Sequence, residues 1–132
     1  MITMSELLSE HNISDLTDEQ RENINTLYER INKIRIAWSK PMNITSGFRS
    51  KEDQLRIYRS RGVPDDKVPM GSAHLKAAAC DVLDVDGVLM SWVRLNESIL
   101  VLVGLWVEDD VSQPRVHFQI YPPKSGHRYF KP

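Results

Sequence analysis

The sequence predicts a single α+β domain in which helices pack on a small antiparallel sheet. The chain has 132 residues, which is enough for one hydrophobic core but short for two. Apolar residues recur every three or four positions early in the chain, and short β-branched runs separated by turn residues follow later. We therefore expect N-terminal helices in 1–40, a central core in 42–121 and an extended arm in 122–132.

Composition and charge exclude several classes of protein. Hydrophobic residues make up 41% of the chain and charged residues 27%, as in ordinary globular domains. The formal net charge of −1 offers no basic surface, so we expect neither nucleic acid nor a membrane as a partner. No apolar run approaches the roughly 18 residues that span a bilayer. The N-terminal residues lack the basic and apolar regions of a secretory signal, so no signal peptide is expected.

The first half of the chain shows two helices with clear starts. Thr17 and Gln20 have the spacing of a capping box at the start of a helix over 17–38, and Pro41 follows its end. The pair Leu7 and Leu8 indicates a shorter helix before it. The apolar stripe of the long helix consists of Ile24, Leu27, Tyr28, Ile31, Ile34 and Trp38.

The middle of the chain alternates between strand, helix and loop patterns. Residues 42–48 form a short apolar run that ends in a turn, which predicts a strand. Ser50 is an N-cap candidate and Gly62 a stop, so we expect a second helix between them. The prolines and glycine of 63–73 indicate a loop, and 79–85 alternates as a strand does.

The last part of the chain predicts one helix and a hairpin. Residues 88–100 follow an Asp-Gly turn and have the composition of a third helix. Two strand-like runs, 102–109 and 115–121, are joined by five turn-forming residues. The arm, 122–132, is rich in proline and glycine and shows no period.

Three residues of the central core are candidate metal ligands: His74, Asp81 and His117. A catalytic zinc site usually has three protein ligands and keeps a fourth position open. Alternation places His117 on the polar face of its strand with Arg115 and Gln119, opposite the apolar face. Spacing alone leaves a second interpretation open, in which His74 is a loop residue and Asp81 a helix or turn cap. The apolar face carries Val116, Phe118 and Ile120.

Three ordered segments, "SGFRS", "SAHLKAAACD" and "VHFQ", resemble the zinc D-alanyl-D-alanine peptidase family, which has the Hedgehog/DD-peptidase fold. This family includes D,D-carboxypeptidases, vancomycin-resistance D,D-dipeptidases and phage L-alanyl-D-glutamate endolysins. The likeness covers residues 20–121. The matching positions are Ser46, Gly47, Arg49 and Ser50, with Phe48 in place of tyrosine, then Ser72, His74, Ala79 and Asp81, and finally His117, Phe118 and Gln119.

The resemblance implies roles for several of these residues. It implies a Zn²⁺ ion held by His74, Asp81 and His117. It also implies that Arg49 faces the site and binds a substrate carboxylate or carbonyl, a task that suits the planar guanidinium fork. The alternative for Arg49 is an ordinary surface arginine at a helix start. We further expect Ser72 and Gln54 to contact the substrate.

The chain departs from the family pattern at two positions. Ala77 stands where the family has glycine, so a positive φ there would strain the loop. Pro114 stands three residues before the last histidine, where family peptidases of the endolysin and dipeptidase type carry the Asp or Glu that acts as general base. Proline cannot accept a proton, so another carboxylate must take that role if the protein is an enzyme.

The nearest substitutes for the missing base are Glu108, Asp109 and Asp110, of which Glu108 is the expected one. A hairpin centred on residues 111–112 pairs Glu108 with Arg115 and so places Glu108 on the face of His117. A register shift of one residue would move Glu108 to the other face. The alternative is that Glu108 only forms an exposed ion pair with Arg115, worth under about 1 kcal/mol.

The remaining chemically reactive side chains fit structural roles better. Cys80 neighbours Asp81 and so points to the other side of the strand, where a small buried hydrophobe is expected. His11 and His127 lie outside the motifs and receive no role. The three tryptophans, Trp38, Trp92 and Trp106, fit the core or the walls of a groove.

The predicted function is zinc-dependent hydrolysis of a peptide bond in the stem peptides of peptidoglycan. Zinc at such a site lowers the pKa of bound water toward about 7 and polarises the scissile carbonyl. The resemblance to small phage members implies a protein in the host cytoplasm before release, or one carried in the virion. Carboxypeptidase and endopeptidase activity both remain open, as does the oligomeric state.

Two rival functions remain. One is a catalytically impaired zinc-binding structural or virion-associated protein of the same fold, which the loss of the carboxylate at Pro114 favours. The other is an interaction module without metal, which requires that the three ligand candidates lie apart.

Overall fold

The computed structural model describes residues 1–131 and has five α-helices and one five-stranded sheet. The predicted α+β class is confirmed. The helices are α1 (Met4–Leu8), α2 (Asp18–Trp38), α3 (Lys51–Ser60), α4 (Val88–Leu95) and α5 (Glu97–Val103). The strands are β1 (Ile44–Ser46), β2 (Ala79–Leu83), β3 (Trp106–Glu108), β4 (Arg115–Gln119) and β5 (Tyr129–Phe130). None of these helices is both long and apolar enough to cross a bilayer.

The two N-capped helices form where the sequence predicts them. The Thr17 hydroxyl accepts a hydrogen bond from the backbone N–H of Gln20, and the Gln20 side chain accepts one from the backbone of Thr17. Ser50 and Asp53 form the same reciprocal pair at the start of α3. In both helices the residues that set the boundary lie within one turn of it, so local sequence suffices to predict the start.

The predicted third helix is two helices. Asn96, with φ −124° and ψ 40°, breaks the helical conformation between α4 and α5, and its side-chain amide donates a hydrogen bond to the carbonyl of Trp92. Helix α5 then continues to Val103, where Gly104 adopts a φ of 86°. The expected strand over 102–109 is therefore shortened to Trp106–Glu108.

The sheet order is β1-β2-β4-β3-β5, and the sheet is mixed rather than purely antiparallel. The first four strands pair antiparallel, whereas β5 pairs parallel with the edge of β3. The expected arm thus contributes a strand. The hydroxyl of Tyr129 also donates a hydrogen bond to the carbonyl of Val93, which fixes this end of the chain against α4.

The hairpin register differs from the prediction by two residues. Trp106 pairs with Gln119 and Val107 with Phe118, whereas the expected pair of Glu108 with Arg115 would have set Trp106 opposite His117. An even shift preserves which face each side chain occupies, because side chains alternate with a period of two. Glu108 therefore still shares a face with His117.

The two faces of the sheet have different roles. The core face is fully buried and carries Cys80, Val107 and Phe118, against which the helices pack. On the opposite face a row of side chains runs across all five strands, because each lies at a matching register position. In strand order, this cross-strand row consists of Ser46, Asp81, His117, Glu108 and Phe130.

Candidate metal centre

The three predicted ligands meet on the polar face of the sheet. His74 lies in the loop before β2, Asp81 in β2 and His117 in β4. Each side chain offers one ligand atom, and these three atoms all lie within 4.8 Å of one another. All three are buried, with 4%, 2% and 7% of their surface exposed. Among the described residues, they form the one group of three or more such side chains with this geometry. The alternative in which they lie apart is therefore excluded.

Asp81 is the centre of the cluster. Its Oδ1 lies 2.9 Å from Nδ1 of His117 and 3.4 Å from Nε2 of His74. Tetrahedral zinc with bonds of about 2.0–2.1 Å separates its ligand atoms by about 3.3 Å. The two distances from Asp81 are close to the separation of two ligand atoms on one metal ion.

The hydrogen bonds behind each histidine determine which nitrogen faces the cluster. Nδ1 of His74 lies 2.8 Å from the carbonyl oxygen of Gly47, which only accepts, so this nitrogen carries the proton. Nε2 of His117 lies 2.9 Å from Oε1 of Gln119. Gln119 is oriented in turn, since its amide donates to the carbonyl of Tyr121 at 2.9 Å. Neutral histidines held in this way direct both remaining lone pairs at Asp81.

The ionisation of the cluster suits a cation. Burial lowers the pKa of His74, which favours the neutral ring. Burial alone would raise the pKa of Asp81, but the contacts with the imidazoles of His117 and His74 outweigh it and hold the pKa far below its ordinary value. Two histidine lone pairs and a carboxylate that face one another are stabilised by a positive charge between them. The donor set therefore fits a divalent metal ion.

Arg49 faces the cluster from the β1 side, as expected. Its Nη2 lies 3.9 Å from Oδ2 of Asp81, and its Nε donates to Oγ of Ser46 at 3.0 Å. Only 14% of the side chain is exposed. Its backbone N–H also donates to the carbonyl of His74 at 3.1 Å, so the loop that carries the first ligand is tied to Arg49.

Gln54 holds the guanidinium of Arg49 from the protein interior and does not line the site. Its Oε1 accepts from Nη1 of Arg49 at 3.2 Å, and its amide donates to the carbonyl of Pro69 at 2.8 Å. The residue is 0% exposed. The expectation that Gln54 contacts the substrate does not fit this position, because its polar atoms are bonded internally and present no surface.

The loop around His74 depends on two unusual backbone positions. A Cβ at Gly47 would lie 2.2 Å from the carbonyl oxygen of Leu7, so only glycine fits there. Ala77 adopts a φ of 57°, a conformation that glycine takes without strain. Ser72 is half-buried, and its Oγ accepts the backbone N–H of His74 at 3.2 Å. The alanine therefore retains the loop geometry at the cost of strain.

The hairpin side of the cluster contains Glu108 and Arg115. Nη1 of Arg115 lies 3.4 Å from Oδ1 of Asp81, and its Nη2 lies 3.9 Å from Oε1 of Glu108. The guanidinium of Arg115 thus lies between the carboxylates of Glu108 and Asp81. The two neighbouring carboxylates are engaged elsewhere: Asp109 pairs with Arg94 and Lys131, and Asp110 accepts from Ser112.

The other reactive side chains lie outside the cluster. Nε2 of His11 lies 2.6 Å from Oδ2 of Asp53 at the start of α3. Cys80 is fully buried on the core face, as expected, and burial raises the pKa of its thiol. Trp106 lies on the face of Gln119, with the guanidinium of Arg128 stacked 4.2 Å from its ring centre. The sequence interpretation missed Phe130, whose ring lies edge-on to His117 at 6.2 Å.

No protein-family model, curated protein or solved structure matches the chain.

Proposed function

We propose that the protein is a zinc-dependent peptidase that hydrolyses peptide bonds in the stem peptides of peptidoglycan. The observation that carries this proposal is the convergence of two histidine lone pairs and the Asp81 carboxylate on one point. Two imidazoles and one carboxylate are typical of hydrolytic zinc sites, which keep one position open. When bound, zinc supplies a Lewis acid that acidifies water and polarises a carbonyl.

Glu108 accepts the proton in this proposal. Its side chain is largely buried, and it lies on the same face of the sheet as Asp81 and His117. A carboxylate in that position takes a proton from the attacking water at Oε1 and returns it to the amine that leaves.

Arg49 binds the oxygen of the substrate that gains negative charge. The hydrogen bonds to Ser46 and Gln54 hold its guanidinium in one orientation, so little reorganisation is needed when charge develops. Ser72, half-buried next to His74, lies where its hydroxyl can contact the substrate backbone.

We infer the substrate class from the resemblance of the three motifs to those of the family with the Hedgehog/DD-peptidase fold. All three motifs of that family bring their key residues to one site in this chain: Arg49 from the first, His74 and Asp81 from the second, and His117 from the third. This coincidence supports the family assignment beyond the spacing of the residues in sequence. The stem-peptide substrate and a host-cytoplasmic or virion-associated location are proposed on the same basis.

One observation favours the second candidate, a zinc-binding structural or virion-associated protein without catalysis. Pro114 is exposed at the hairpin end, and its carbonyl accepts the backbone N–H of Asp84 at 2.8 Å. The position that carries the base in related peptidases therefore has only a structural contact here. Activity then depends entirely on Glu108.

The test combines metal analysis of the purified protein with digestion of purified peptidoglycan in the presence of zinc. We expect one zinc per chain and new amino and carboxyl termini. Glu108→Gln should keep the zinc and lower the rate at least ~100-fold, the size of a general-base contribution. Asp110→Asn, a neighbouring carboxylate outside the cluster, is the matched control and should leave the rate within twofold.

Each outcome separates the candidates. Zinc without cleavage would favour the structural protein, and cleavage that survives Glu108→Gln would assign the base elsewhere. A protein that binds no zinc would contradict both candidates.

A further inference from the structure

Arg115 occupies a position in the site that neither the ligand set nor the proposed chemistry requires. It lies on β4 two residues before His117, and therefore on the same face. Its side chain is 30% exposed, twice the exposed fraction of Arg49. A charged side chain that is open to solvent beside a metal centre is positioned to meet a ligand.

The two arginines of the site differ in how their donors are used. Arg49 donates to Ser46 and Gln54, so two of its donors are taken by the protein. Within residues 1–131, Arg115 donates only to Asp81, at 3.4 Å, and the 3.9 Å to Glu108 is beyond hydrogen-bond length. Arg115 therefore has free donors in a planar fork, the arrangement that binds a carboxylate through two parallel hydrogen bonds.

The charge of the site favours an anionic ligand. Without metal, the two carboxylates of Asp81 and Glu108 balance the two guanidiniums of Arg49 and Arg115. A divalent cation adds two positive charges to a largely buried site, and charges are weakly screened there. A substrate that brings a carboxylate next to the metal reduces this excess.

We propose that Arg115 binds a free carboxylate of the substrate on the hairpin side of the metal, so that the protein selects peptides with a carboxylate close to the cleaved bond. This inference rests on the proposed function. Arg49, held in place on the opposite side, binds the reacting carbonyl, and the more exposed Arg115 provides selectivity. The carboxylate belongs either to the chain end of the peptide or to its glutamate, and the experiment below distinguishes the two.

The experiment measures binding by calorimetry, independently of turnover. Zinc-loaded protein is titrated with three synthetic stem pentapeptides: one with both carboxylates free, one with the chain end amidated, and one with the glutamate carboxylate amidated. We expect one of the two amides to bind at least 10-fold more weakly than the free peptide. The weaker amide identifies which carboxylate Arg115 contacts.

Variants assign this preference to the arginine. In Arg115→Leu, the free peptide and the amide that the wild type binds more weakly should have affinities within twofold of each other. Arg115→Lys should keep part of the preference, because an ammonium provides the charge but not the fork. Arg59→Leu, which removes an exposed arginine of α3, is the control and should behave as wild type. Zinc content is measured in every variant, since Arg115 contacts a ligand.

Three results would overturn the inference: equal binding of all peptides by the wild type, an unchanged preference in Arg115→Leu, or no binding of any peptide. Failure of the proposed function has a different signature. A wild type that cleaves nothing, but still shows an Arg115-dependent preference, would be a binding site for acidic peptides and not a peptidase.

Discussion

The two sides of the metal centre are built differently. On the β1 side, Arg49 is bonded to Ser46, Gln54 and the backbone carbonyl of His74, and Gln54 is bonded to Pro69. On the hairpin side, Arg115 and Glu108 face each other at 3.9 Å and are partly open to solvent. Asp81 lies between them and contacts both arginines.

This difference indicates a division of tasks. Side chains that are held by several hydrogen bonds within the protein keep one geometry, which suits metal ligands and a donor to the reacting oxygen. Side chains with free donors and acceptors can exchange their partner for a ligand or a proton. We therefore expect substitutions of the supporting residues on the β1 side, such as Gln54, to affect stability, and substitutions on the hairpin side to affect mainly binding and turnover.

The largest effect is expected at Asp81, where the two sides meet. Asp81→Ala removes the central ligand, so zinc affinity should fall more than 100-fold and any hydrolysis should disappear, as it should for His117→Ala. The helices should persist, because the core face is untouched. Chelator competition and far-ultraviolet circular dichroism measure the two effects. Asp66→Ala, an exposed carboxylate, is the control, and zinc retained by Asp81→Ala would contradict the ligand assignment.

A substitution of Gln119 tests whether its hydrogen bond to Nε2 of His117 contributes to metal affinity. Gln119→Leu leaves Nε2 of His117 without its acceptor, so the ring loses its orientation. Loss of such a contact typically costs 10–100-fold in metal affinity, and we expect a value of about that size. Competition with a zinc chelator measures it, with Gln113→Leu in the exposed hairpin as the control. Equal affinities of the two variants would show that the tautomer is held by other contacts.

Gln54 and Arg115 compare the two sides directly in stability. Gln54→Leu leaves a buried guanidinium donor and the Pro69 carbonyl unpaired, which should lower the free energy of unfolding by about 1–3 kcal/mol. Arg115→Leu removes a half-exposed ion pair and should cost less than about 1 kcal/mol. Urea unfolding of both metal-free variants measures the difference. The reverse order would refute the assignment of structural and functional sides.

The smallest effect is expected at Ala77. Glycine there relieves a left-handed conformation that costs an L-residue about 1–2 kcal/mol. Against this, glycine loses about 0.8 kcal/mol of buried methyl and is more flexible when unfolded. Ala77→Gly should therefore change the free energy of unfolding by less than about 1 kcal/mol, whereas the β-branched Ala77→Val should be clearly destabilised. Equal stability of both variants in urea would argue against a strained loop.

Features that depend on neighbouring residues were predictable from the sequence. The starts of α2 and α3 follow from capping residues three positions apart, and the polar face of β4 follows from strict alternation. The same alternation kept Glu108 on the face of His117 although the register differed by two residues. The order of the motifs also pointed to His74, Asp81 and His117 as candidate ligands, and these three side chains do lie close together in the structure.

Features that depend on distant residues were not predictable in this way. The burial of Gln54 arises from Arg49 and the Pro69 loop, and the requirement for glycine at 47 arises from the carbonyl of Leu7, 40 positions earlier. The parallel strand β5 depends on an open edge at β3 that no local pattern announces. Hydrogen bonds and steric exclusion act between atoms that meet only after the chain has folded, so packing, and not pattern, sets them.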